Sequence, residues 1–580
     1  MFKRWASCFF ILLLLASPVS NLMAASSLTV KIDGVSSDQE KNIRGLLRIQ
    51  QLEGKEIENR SRLRFLHSKA DKEIRRALQP FGLYRPDITS LLSEKEQQWT
   101  AHYQISPGPV LLIGNLDIQL LGEALQDDKF NQLMTKPSLR SGNPLLHSDY
   151  ESFKRQFRSL ATERGYFQAE FTQHRVEVDL DSYQASITLH FNSGPRFHVG
   201  ELRITPGPLS SDFIMRYVPF KPGDPINSNA LINLQTALID SDYFQRVEIR
   251  PLWDQTEGTE VPILIELEAN KRTKYRAGLG YGTDTGARTK LGVTRRWVNN
   301  RGHQFKSQLL ASEILSSLTA EYSIPGEKPQ QDRYAVNLSL SDENSDSIDA
   351  FTSSLGVSWQ QQRGQWQQIL ALNYELEEFT FSVDTQNTEF LIPRINFNTV
   401  STNDRLNVRS GYRLSVELLG ASDVLLSDAD FLQARFNGKV IHSLTPKLRV
   451  LGRVETGLTH IDDFNTLPAT LRFFAGGDNS VRGYAYQSLG PKDPFGTVIG
   501  GPHLLVGSVE LDYRIMGNWG IAAFIDSGNA FEGTDINLRT GVGVGLRWFS
   551  PIGPVRIDIA APQDDDESGV RLHFSLGPDL

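Results

Sequence analysis

Residues 569–580 read GVRLHFSLGPDL. Leu572, Phe574 and Leu576 alternate with Arg571, His573 and Ser575, so an extended strand here offers one face to lipid and the other to a wet lumen. The alternation recurs upstream. Val542, Val544, Leu546 and Trp548 interleave with Gly541, Gly543, Gly545 and Arg547, and Val509, Leu511, Tyr513 and Ile515 interleave with Ser508, Glu510, Asp512 and Arg514. A soluble sandwich also alternates. Its inner face would not collect Glu510, Asp512, Arg514, Arg547, Arg556 and Asp558 in successive strands, because buried unpaired charge is costly. A water-filled transmembrane barrel explains that row.

The amino terminus fits such a destination. Lys3 and Arg4 precede an apolar run from Cys8 to Ala16, and small residues follow at Ala24 and Ala25, which is the pattern of a secretory signal peptide over residues 1–25. The chain's single cysteine, Cys8, leaves with it, so the mature protein is expected to hold no disulfide, thiolate metal site or cysteine nucleophile. No later run reaches ~18 uninterrupted apolar residues, so strands must do the spanning. With 60 basic and 68 acidic residues the net charge is −8, which argues against a nucleic-acid partner. The acidic run Asp564 to Glu567 reads as a solvated surface loop.

Around residue 270 the texture changes from helices mixed with short strands to strands, glycines and polar turns. The earlier part repeats. Pro107-Gly108-Pro109, Ile113, Gly114, Leu116 and Ile118 return as Gly194, Pro195, Val199, Gly200, Leu202 and Ile204. Gly142-Asn143-Pro144-Leu145 matches Gly223-Asp224-Pro225-Ile226, and Gly165-Tyr166-Phe167 matches Asp242-Tyr243-Phe244. Each unit therefore predicts strand, helix, helix, strand, strand. A more divergent first unit starts with a strand at Leu28 to Val35 and places Leu63, Leu66, Ala70, Ile74 and Leu78 on one helix face. Capping boxes are expected at Ser37 with Glu40 and at Ser148 with Glu151, the latter opening a helix whose apolar face is Phe153, Phe157, Leu160 and Ala161. The expected domains are three α+β modules over 26–107, 108–193 and 194–270, followed over 271–580 by an all-β antiparallel barrel of about sixteen strands.

Three motifs carry a family resemblance: Phe474-Ala475-Gly476-Gly477 with Val481-Arg482-Gly483-Tyr484, then Phe524-Ile525-Asp526, then Ser550-Pro551-Ile552-Gly553-Pro554. With them, the modules resemble POTRA domains and the region after 270 resembles the barrel of the outer-membrane protein-assembly and two-partner-secretion superfamily. Within it, three modules are most similar to the outer-membrane subunits of the translocation and assembly module, the TamA type. That resemblance implies a non-enzymatic assembly factor in the outer membrane with its POTRA arm in the periplasm. Its clients would be unfolded outer-membrane proteins such as autotransporters, and its partner a TamB-like protein anchored in the inner membrane. It also implies that the long segment between His460 and Pro502 tucks into the barrel, anchored by Arg482, Gly483 and Tyr484 against Phe524 and Asp526. A pore for one dedicated exoprotein, or a role in carrying outer-membrane lipid between membranes, is the alternative.

No catalytic, cofactor or metal site is expected. The glycine runs at Gly278-Leu279-Gly280-Tyr281-Gly282 and Gly541 to Gly545 open no helix, so they are not phosphate loops; they are expected to let strands curve or pair loosely. Histidines are scattered, and His190 and His198 lack an evident acidic partner set. Parity places Asp526 on the lumen side with Phe524, where an arginine gains bidentate geometry and weaker screening. The seam where first and last strands meet is the second candidate. The first strand brings Gly278, Gly280 and Gly282 to it and the last brings Leu572, Phe574 and Leu576, and Gly577-Pro578 ends the last strand, so pairing is expected to be short and open to an incoming strand.

Overall fold

The computed structural model describes residues 27–96, 98–135, 137–381, 384–402, 404, 407–534, 536–550, 553–564, 569–577 and 579. The expected leader, Asp565 to Glu567 of the acidic run, Pro551-Ile552 and Pro578 lie outside them.

The first module runs β1 (Leu28–Asp33), α1 (Ser37–Leu46), α2 (Arg60–Leu78), β2 (Asp87–Lys95) and β3 (Gln98–Ser106). The second runs β4 (Leu112–Leu121), α3 (Asp128–Thr135), α4 (His147–Arg164), β5 (Glu170–Asp179) and β6 (Gln184–Asn192), and the third β7 (His198–Ile204), α5 (Ser211–Met215), α6 (Ser228–Asp240), β8 (Phe244–Pro251) and β9 (Glu260–Ala269). In every module the last strand lies between the other two, as in the order β1-β3-β2. Alternation explains the cores. Leu28, Val30 and Ile32 point inward from β1 onto Leu63, Ala70, Ile74 and Leu78 of α2. Each such fully buried aliphatic side chain stabilises the module by roughly 1.5–3 kcal/mol. In the second module Phe153, Phe157 and Ala161 are buried on α4, and Phe153 meets Phe157 edge-on at 5.1 Å.

The repeated Gly-Asx-Pro segments have a shared hydrogen-bond cause. The Gly142 N–H donates to Ile113 O (2.7 Å) and the Ile113 N–H to Asn143 O (2.9 Å); Gly223, Val199 and Asp224 repeat this at 2.7 and 2.8 Å. Gly142 and Gly223 sit at φ +85 and +89, where a Cβ is disfavoured. The caps differ from expectation. Helix α1 is capped by Ser36 with Gln39, one residue earlier than Ser37 with Glu40. Helix α4 begins at Leu146 without a side-chain cap, and the Ser148 hydroxyl instead donates to Asp149. His190 does have an acidic partner, Asp117 Oδ2 at 2.7 Å.

The barrel comprises β10 (Thr273–Gly282), β11 (Gly286–Arg295), β12 (Gln304–Ser312), β13 (Leu315–Pro325), β14 (Asp332–Asn344), β15 (Asp349–Arg363), β16 (Trp366–Phe381) and β17 (Asp384–Thr402). It continues with β18 (Gly411–Ala421), β19 (Phe431–Ser443), β20 (Leu448–Ile461), β21 (His503–Met516), β22 (Trp519–Phe531), β23 (Arg539–Ser550), β24 (Gly553–Pro562) and β25 (Arg571–Leu576). These form one 16-stranded antiparallel sheet in chain order, nearly closed on itself. Leu291, Val293, Leu309, Leu318, Val336 and Leu338 stand exposed on its outer face, as lipid contact requires. No helix among the described residues is long and apolar enough to cross a membrane.

Candidate functional site: the loop socket and the seam

The 462–502 segment between β20 and β21 folds back into the barrel, burying Phe473, Ala475, Val481, Tyr484 and Leu489 with Leu504, Val506 and Ala530 of the wall. Arg482 is its anchor. Its Nε–H and Nη2–H donate to Asp526 Oδ2 and Oδ1 at 2.7 and 3.0 Å, and its backbone N–H donates to Oδ2 at 3.1 Å. The remaining Nη1 donates to Glu510 (2.8 Å) and Asp558 (2.9 Å). The guanidinium lies over the Phe524 ring, 3.3 Å from its centroid, so that residue closes the fourth side. Arg547, wholly buried, bridges Glu510, Asp558 and Asp512 from behind.

This changes the reading of the inward charges. Glu510, Asp512, Asp526, Arg547 and Asp558 are all buried and paired, so the arginine-carboxylate network and the loop fill this side of the barrel where a water-filled lumen was expected. The glycines of β23 also have another purpose than curvature. A Cβ on Gly541 would stand 1.9 Å from Arg482 O, one on Gly543 2.4 Å from the Phe524 ring, and one on Gly545 1.8 Å from Asp558 Oδ1. Gly483, at φ +100, lies against Ala561 and Pro562, and the Tyr484 hydroxyl donates to Thr540 O at 3.4 Å.

A second cluster ties the loop to the seam. The Gly483 N–H donates to His573 Nε2 (2.9 Å), which leaves Nδ1 as the protonated nitrogen facing Asp478 at 2.6 Å. Asp478 also accepts from the Thr283 hydroxyl (2.8 Å) and donates its backbone N–H to Asp284 (2.6 Å). Thr283 in turn accepts from the Phe574 N–H at 3.0 Å. Asp284, Asp478 and His573 bring their ligand atoms within 4.8 Å of one another, but both histidine nitrogens are already engaged, so the cluster works as a latch between the β10–β11 turn, the loop and β25. Sequence reading missed it: His573 registers there only as one lumen-facing residue among many.

Beyond this latch and a Tyr281–Phe574 ring contact at 6.4 Å, β10 and β25 form no ladder. Gly278, Gly280 and Gly282 face inward, and a Cβ on Gly278 would meet nothing within 4 Å. Tyr275 and Leu279, on the opposite face, are 76% and 87% exposed. Leu572 and Leu576 are exposed and Phe574 half-buried on β25. Past Leu576 the chain turns inward, where buried Asp579 receives Arg449 Nη1 at 2.7 Å and Arg556.

A sixteen-stranded barrel with a plugged lumen, an unzipped seam and three βααββ modules ahead of it defines an outer-membrane barrel with a periplasmic POTRA arm. Residues 271–579 match the Omp85 superfamily domain, and the chain belongs to that superfamily. Residues 29–107 match the first POTRA domain of the TamA type. The chain is similar to the outer membrane protein assembly factor BamA of Nitratidesulfovibrio vulgaris, 20% identical over 82% of this chain and 63% of that one. It is similar also to the chloroplastic outer envelope protein 80 of Arabidopsis thaliana, 32% identical over 18% of this chain and 14% of that protein. It thus spans less than two thirds of the length of these curated relatives. In structure it resembles BamA from Haemophilus ducreyi lacking POTRA domains 1–3, with TM-score 0.67 and 17% identity, covering 80% of this chain and 99% of that one. Omp85 members are transporters and assembly factors rather than enzymes.

Proposed function

We propose that this protein assembles client β-strand proteins, autotransporters among them, into the outer membrane. The POTRA arm receives them, the free edge of β10 templates their first strand, and a TamB-like inner-membrane-anchored protein is the partner. The observation that carries this reading is the seam, where the backbone groups of β10 on its β25 side lack a ladder partner. Within a bilayer an unpaired edge is expensive, and a client strand satisfies it by β-augmentation. The same opening would let outer-membrane lipid approach the lumen, so lipid transfer is a companion activity under this proposal. Photo-crosslinkers along β10 and β25 in living cells test it. Client adducts at Leu279 and Leu576 support insertion at the seam, whereas adducts confined to lumen residues support an exoprotein pore and overturn it.

A further inference from the structure

The wall beside the free edge differs in charge from the wall that holds the loop. On the lumen face of β10 stand Lys274 and Arg276; cross-strand, Lys290 lies opposite Gly278 and Arg288 opposite Gly280, and Lys306 follows on β12 opposite Thr294. A cavity of ≈570 Å³ opens among Arg276, Lys290, Lys306 and Glu321. Lys306 shares Glu321 at 3.5 Å, and among the described residues Lys274, Arg276, Arg288 and Lys290 have no carboxylate within ion-pair distance. The loop side is the reverse, with buried Arg482 and Arg547 each paired with three carboxylates. Nor does the neighbouring strand supply an acid: β25 turns Arg571, His573 and Ser575 to the lumen, and Asp579 is held by Arg449 and Arg556. Beside Lys274 and Arg276, β25 therefore offers no carboxylate of its own.

We propose that this face recognises an extended client segment carrying carboxylates at alternate, lumen-facing positions. The inference rests on the seam reading above and specifies the strand that reading leaves open. A strand added to β10 directs every second side chain inward, next to Lys274 and Arg276 and, across Gly278, toward Lys290. Gly278 leaves room for such a side chain, since a Cβ there would meet nothing within 4 Å. An anionic phospholipid headgroup would answer the cations but leave the β10 backbone unpaired, whereas an acidic strand answers both. Charge complementarity of this kind selects partners and speeds encounter.

The experiment uses the full chain in lipid nanodiscs with a photo-crosslinker replacing Leu279, and nine-residue peptides that alternate leucine with glutamate, glutamine or lysine. The glutamate peptide should label at about tenfold lower concentration than the glutamine peptide, with the lysine peptide weakest, and added salt should shrink the gap. The combined Lys274→Gln, Arg276→Gln and Lys290→Gln variant should abolish the gap while keeping glutamine-peptide labelling. Equal labelling by the glutamate and glutamine peptides in the unsubstituted wall overturns the charge inference and leaves the seam reading standing. No labelling by any peptide overturns both. Loss of the glutamate preference when phosphatidylglycerol replaces phosphatidylcholine assigns the cations to lipid headgroups and overturns the peptide inference.

Discussion

Arg482 serves three carboxylates, and that number decides what its removal does. Asp526 is fully buried, so Arg482→Ala strands it with the Ser508 hydroxyl as its remaining side-chain donor and relieves Glu510 and Asp558 of one cation each. Breaking such a buried pair costs about 3–5 kcal/mol, here drawn from the loop's attachment. Exchanging the charges, Arg482→Asp with Asp526→Arg, should fail to restore it, since the new aspartate would face Glu510 and Asp558. Limited proteolysis of the 462–502 loop in the two single variants and the exchange checks this; rescue by the exchange would reduce the socket to a simple pair. Gly541→Ala tests the same contact from the wall side. Its methyl would occupy the place of Arg482 O, so the loop should become protease-sensitive with every charge still present.

At the scale of single elements, the seam and α4 each make a test. Tyr281→Cys with Phe574→Cys, at a ring contact across the seam, should crosslink under oxidation, leave the barrel folded and block client assembly. Full assembly with the crosslink complete on a gel would remove gating from the account. In the second module burial pushes the Asp127 carboxyl up, but the Arg164 hydrogen bond at 2.5 Å, the Lys129 N–H and the charges of Arg164 and Arg196 outweigh it, and the group lies below its ordinary value. A carboxylate depressed in the folded state contributes stability that is complete above roughly pH 4 and fades as pH falls through the folded value. Asp127→Asn should therefore expose α4 to pepsin at a pH where the parent still resists, and the two should converge as acid protonates Asp127. Much of this was legible from residue pattern. Period-two alternation marks the barrel strands because lipid and lumen enforce it residue by residue, and parity alone sets Asp526 on the inner face with Phe524. The caps at Ser36 and Leu146 were not legible, because neighbouring serines offer the same spacing and only backbone geometry chooses between them. Nor was the convergence of Glu510, Asp526 and Asp558 on one guanidinium. It depends on curvature that brings three strands to a point, which no linear spacing encodes.

For the whole molecule, the third module and the barrel share a tight contact. Tyr243 donates its hydroxyl to Gly302 O, Phe213 packs edge-on against Tyr243 at 5.5 Å, and a Cβ on Gly302 would stand 2.3 Å from the Phe213 ring. Gly302→Ala should loosen this joint while leaving barrel and module folded, read as increased motion between spin labels on α6 and β12. The buried loop, finally, implies a sequence of events in time. Its socket is assembled from Asp526 on β22, Gly541 on β23, Asp558 on β24 and His573 on β25, and a slip of one residue in any of these strands would turn its share toward lipid. The loop therefore has nowhere to lodge until the final four strands are in register, and lodging is a late step that reports on their correctness. Refolding into vesicles should show Arg482→Ala and parent gaining strand structure at the same rate, with the variant delayed only in reaching the form that resists unfolding by detergent.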